Sequence, residues 1–135
     1  MVDWSPLRAA LLRCRNTKTP LPIWWRDDDA IEPTPALDRL SAISDKIGVP
    51  IHLAVIPKTA RDALVPFIHE QPYFIPCVHG WAHINTAPTG LKKSEFGVPR
   101  DTAEQDLKLA LDRMEYLFSD GCLALFVPPW NRMDT

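Results

Sequence analysis

The sequence lacks any apolar run approaching the roughly 18–20 residues of a bilayer span, so no transmembrane helix is expected. Its longest basic cluster is the pair Lys92–Lys93, and the net charge is −2. That balance argues against a nucleic-acid partner or an anionic membrane surface. Cysteine is sparse: Cys14, Cys77 and Cys122 are odd in number, widely spaced and free of any CxxC pair. They cannot form a disulfide framework, which points to a reducing compartment. Cys77 and Cys122 lie in strand-like runs, where small buried apolar residues are expected. The N-terminal "MVDWSPLRAALLRCR" has no basic leader before its apolar stretch, so it does not read as a secretory signal. A cytoplasmic location is the expectation. The same stretch reads as an amphipathic helix with Ser5 as N-cap and Pro6 in the first turn.

What the chain has in excess is proline. Fourteen in 135 residues is about twice the ~5% average, and they mark segment boundaries without clustering. One domain is expected, since 135 residues with 46% hydrophobic content can bury a core.

The apolar pattern alternates helix and strand. "LPIWWR" (21–26), "PIHLAVI" (50–56), "YFIPCV" (73–78) and "CLALFV" (122–127) read as strands. Between the first two, "EPTPALDRLSAISDKIG" predicts a helix with Leu37, Leu40, Ile43 and Ile47 inward, ending at Gly48. Residues 59–71 predict a helix bent at Pro66. "DTAEQDLKLALDRMEYLFSDG" predicts the clearest helix, capped by Asp101 or Thr102 with Glu104 or Gln105 closing a capping box. Its buried stripe is expected to be Leu107, Leu111, Met114 and Phe118. The loop of about twenty residues before it is long enough to be functional or disordered. Alternation of this kind predicts an α/β fold with a parallel sheet, its near-continuously apolar strands covered on both faces.

In parallel sheets functional groups gather beyond the C-terminal strand ends. "RDDDA" (26–30), "HGWAH" (79–83) and "PPWNR" (128–132) all fall there. Alone, the acids could be a solvated turn capping the helix near Pro33, and the histidines two loop residues. Together they bring carboxylates and two imidazoles to one sheet edge. Adjacent acids raise one another's pKa unless a cation lies between them. Histidines four apart can face one metal, and an Asp plus two His leaves coordination positions open, as in catalytic sites. Such an ion lowers the pKa of bound water, while a neighbouring free carboxylate takes the proton as general base. His52 and His69 read as a strand histidine and a helix-surface histidine.

These residues resemble the polysaccharide deacetylase (NodB-homology) family, carbohydrate esterase family 4. Its T-F-D-D-G motif is similar to Arg26–Ala30, its H-[ST]-x-x-H motif to His79–His83, and its R-x-P-[YW] motif to Val127–Trp130. The resemblance covers roughly residues 20–132. It implies Asp28 as catalytic base, Asp29, His79 and His83 as ligands of a divalent metal (zinc, with cobalt or nickel as alternatives), and Pro129, Trp130, Trp81 and Arg132 at the substrate. It also implies parallel (β/α) repeats forming part of an irregular seven-stranded (β/α) barrel. The implied activity is hydrolysis of a C–N amide bond, removing acetyl from an N-acetylated sugar or polysaccharide. An allantoinase-like hydrolase of small amides is the alternative within the superfamily, and a non-catalytic metal- or glycan-binding domain the alternative outside it.

The chain departs from the pattern at Ala30 for glycine, Gly80 for Ser or Thr, and Val127 for arginine, a cation that Arg132 could supply in space. The family's later motifs, with the histidine that serves as general acid, have no counterpart. The expectation is therefore the N-terminal part of a longer domain, and an open sheet edge that favours homo-oligomers.

Overall fold

The computed structural model describes residues 2–133. Four parallel strands, β1 (Arg26–Ala30), β2 (Ile51–Val55), β3 (Phe74–His79) and β4 (Leu123–Val127), lie side by side in chain order. Four helices alternate with them: α1 (Ser5–Asn16), α2 (Pro35–Ile47), α3 (Leu64–His69) and α4 (Ala103–Phe118). The alternating α/β order and the parallel sheet are as expected. No helix among the described residues is long and apolar enough to cross a membrane.

The core is two-sided. Ile51, Leu53 and Val55 of β2 join Leu37 of α2, Leu64 and Ile68 of α3, and Ala110, Met114, Leu117 and Phe118 of α4 in one buried cluster. The intervening β2 residue Ala54 faces the other way, into a small cluster with Cys77 and Val127. Period-two alternation thus divides each strand between a helix-covered face and a second face. Cys77 is fully buried as expected, whereas Cys122 is only half-buried.

Several predicted elements are displaced. β1 is "RDDDA" and not "LPIWWR": Leu21, Ile23 and Trp24 are exposed, and only the Trp25 carbonyl reaches the sheet, accepting from His52 N at 2.9 Å. Pro20 and Pro22 remove the donors that an earlier strand would need. The helix at 59–71 is shorter, starting at Leu64, so that Pro66 falls in its first turn and does not bend it. The capping box of α4 does not form, because the Thr102 hydroxyl accepts from Arg100 and caps nothing. Helix α1 begins one residue before its predicted first turn, with the Ser5 N–H donating to Asp3 Oδ1 at 2.9 Å.

Two helix stripes are rotated from prediction. On α2 the buried residues are Leu37, Ser41 and Ser44, with Ile43 and Ile47 exposed. The Ser44 hydroxyl is fully satisfied inside by the Val49 carbonyl. On α4 Ala110 and Leu117 are buried and Leu111 is exposed. In both helices small residues, Ser41 and Ser44 on α2 and Ala110 on α4, are among the buried positions while larger apolar neighbours are exposed.

Candidate metal centre

The site begins with a bulge. Asp27 lies opposite Leu53 and Ala30 opposite Val55, three steps along β1 against two along β2. An extra residue in one strand breaks the alternation and re-aims side chains. Asp29 takes it up at φ 68°, a left-handed conformation that aspartate tolerates better than most residues. Its carboxylate therefore leaves the sheet toward the end of β3, two strands away.

There it meets both histidines. Asp29 Oδ1 lies 3.1 Å from His79 Nε2 and 3.2 Å from His83 Nε2. The three ligand atoms lie within 4.8 Å of one another. His79 is buried, His83 half-buried and Asp29 largely exposed. The histidines converge because Gly80 (φ 60°) and His83 (φ 56°) fold "HGWAH" into a tight turn, not a helix.

Chemistry at these atoms fits a cation. His79 Nδ1 lies 3.0 Å from the Val127 carbonyl, which can only accept, so Nδ1 carries the hydrogen. In the neutral ring, Nε2 then presents a lone pair to the Asp29 oxygen. Two acceptors at hydrogen-bond distance repel unless a proton or a metal ion lies between them. Two imidazole nitrogens and one carboxylate oxygen are the donor set of an open zinc site.

The neighbouring acids are differently placed. Asp28 is held by Arg26, with Nε 2.6 Å from Oδ1 and Nη2 donating to Oδ2 at 2.9 Å. Arg26 Nη2 also donates to Asn131 Oδ1 at 2.8 Å, tying the end of β1 to the segment after β4. Burial, reinforced by the charges of Asp28 and Asp29, pushes the Asp27 carboxyl above the usual range. A cavity of about 360 Å³ beside β1 is lined by Asp27, Asp28 and Asp29 together with Glu32, Leu37 and Leu40.

The segment after β4 joins the site as well. Trp130 packs against the His83 ring with centroids 4.3 Å apart, in a turn where Trp130 and Asn131 both have positive φ. Pro129 is buried against Gly80. Trp81 is half-buried with Lys58 Nζ 5.9 Å above its ring. Arg132 is engaged elsewhere, donating to the Lys93 carbonyl at 2.8 Å, and the guanidinium that meets Asp28 is that of Arg26. His52 lies in β2 and His69 ends α3 on the surface, both as read.

One residue of the site was missed entirely. Glu95, from the long loop, is 2% exposed and accepts hydrogen bonds from the backbone of Trp81, Ala82 and His83. Its trace in the sequence is Gly80, whose missing Cβ leaves the space that the carboxylate occupies. No protein-family model, curated protein or solved structure matches this chain.

Proposed function

We propose that this chain is a metal-dependent amide hydrolase whose substrate is an N-acetylated sugar. The observation that carries the reading is the convergence of Asp29, His79 and His83 on one point, with a second carboxylate, Asp28, on the neighbouring residue. A divalent ion held there, zinc by its donor set, would supply Lewis acidity and a more acidic water. The chain's own residues do the rest. Asp28 takes the proton of the attacking water, and Arg26 holds that carboxylate in one orientation. Val127 fixes the tautomer of His79, an outer contact of the kind that orients metal ligands. Trp130, with one face against His83, offers its remaining surface to a sugar ring beside the reacting acetyl group. In this reading the four-stranded sheet is an arc of a (β/α) barrel, and the resemblance to polysaccharide deacetylases is one of function.

Zinc-reconstituted protein is expected to release acetate from N-acetylated chito-oligosaccharides, and Asp28→Asn to lose that activity while keeping its metal. Ammonia release from small amides in place of acetate would replace the sugar substrate by a small amide. Wild-type protein that holds no metal after incubation with zinc, cobalt or nickel would sink the proposal.

A further inference from the structure

The convergence of the two histidines depends on a group that is not among the candidate ligands. Glu95 Oε1 accepts from Ala82 N at 2.8 Å, and Oε2 accepts from Trp81 N at 3.1 Å and His83 N at 3.2 Å. These are three consecutive amides lying between the two imidazoles. Successive N–H groups aimed at one point make an anion-binding concavity, and here the chain fills it with its own carboxylate. Hydrogen bonds to an ionised acceptor are roughly twice as strong as neutral ones, and a buried carboxylate deprived of them is costly.

The turn is built to receive this side chain. A Cβ on Gly80 would overlap Glu95 Oε2 and come within 2.5 Å of Pro129 Cγ, so the glycine opens the space that the carboxylate occupies. Glu95 is itself fixed from the other side. Its carbonyl accepts from Thr86 Oγ1 at 2.9 Å and from Arg100 Nε at 3.3 Å. The adjacent Phe96 packs edge-on against Phe126 of β4, with centroids 5.4 Å apart.

We infer that Glu95 is the positioning residue of the metal centre: it holds the Gly80–His83 turn in the conformation that brings His83 Nε2 beside His79 Nε2. The inference rests on the reading of Asp29, His79 and His83 as metal ligands. The long loop before α4 then sets the affinity and geometry of an ion it never touches.

Two measurements on the intact chain test this. In metal-free protein, backbone amide exchange at Trp81, Ala82 and His83 is expected to be slow. It should accelerate roughly tenfold or more in Glu95→Gln, because an uncharged amide cannot serve all three donors. In a cobalt titration against a chelator, Glu95→Gln is expected to bind about 10–100-fold more weakly, with shifted visible ligand-field bands. Should Glu95→Gln fail to fold, Thr86→Val gives a milder release of Glu95, with the same amide and spectral changes expected in smaller measure. Unprotected amides in wild type, or an unchanged cobalt affinity and spectrum in a folded Glu95 variant, overturn the inference. Wild type that takes up no cobalt overturns the ligand reading, and the inference with it.

Discussion

His79 gives its Nδ1 hydrogen to the main-chain carbonyl of Val127, the last residue of the neighbouring strand, at 3.0 Å. A backbone acceptor cannot be titrated away, so the ring is held in one tautomer with Nε2 free for a ligand bond. Zinc added at a hundredfold excess over its dissociation constant should therefore stabilise the fold by about 2.7 kcal/mol. His79→Ala and Asp29→Ala should abolish that gain, measured as the shift of the thermal midpoint with and without zinc. A zinc shift that survives both substitutions would place the ion elsewhere.

Gly80→Ala should cost about 2–4 kcal/mol of stability. Part comes from the left-handed backbone at φ 60°, and part from driving a methyl group against Pro129 and Glu95. Urea unfolding measures it directly. Gly90, also at positive φ but with open space around its Cβ position, is the control that separates the two contributions.

Arg26→Gln should leave zinc stoichiometry intact, since Arg26 touches Asp28 and Asn131 but none of the three candidate ligands. The proposed amide hydrolysis should fall by about 10–100-fold, less than the roughly 10²–10⁴-fold that a general base contributes in full, because Asp28 itself remains. Metal content and turnover measured on the same preparation separate the two effects. Loss of both together would assign Arg26 to the fold and not to Asp28.

The thiols of Cys77, buried, and Cys122, half-buried, give a pH dependence with a definite sign. Burial pushes Cys77 up to about 12 and Cys122 up to about 11 from an ordinary value of 9.0. The folded state keeps these protons after the unfolded chain has released them, so both thiols stabilise the fold fully below pH ~9. That contribution is lost as pH rises through the window from ~9 to the folded values. Each thiol adds a slope of at most about 1.4 kcal/mol per pH unit. Cys77→Val should flatten the alkaline fall in stability relative to wild type, as followed by urea midpoints at several pH values. An identical fall in both proteins would refute the assignment.

Strands β2, β3 and β4 were legible because each is a short apolar run between turn residues, and α4 because its period is unbroken. β1 was not legible. Its apolar approach, Leu21 to Trp24, lies outside the sheet, while the acids Asp27, Asp28 and Asp29 form the strand through a bulge that no alternation pattern encodes. The clustering of Asp29, His79 and His83 could be read because spacing and strand ends are local properties. Arg26 is legible for the same reason, standing two residues from the Asp28 it pairs with, whereas Glu95 is not, for its role depends on contacts to Trp81, Ala82 and His83 that no short motif links to it. Ile43, Ile47 and Leu111 illustrate a milder version: helical periodicity finds a stripe, but the residue that sits deepest is chosen by the sheet it meets.

The placement of the candidate ligands across the sheet limits when during folding they can meet. Asp29 comes from β1, both histidines from the end of β3, and the contact that orients His79 from β4, with β2 hydrogen-bonded between the first two. A chain that has assembled only β1 and β2 lacks both histidines, and one that has assembled only β3 and β4 lacks Asp29. The three candidate ligands meet only once β1, β2 and β3 are joined, so zinc uptake in a refolding experiment is expected to lag the appearance of helix signal and to follow assembly of these three strands.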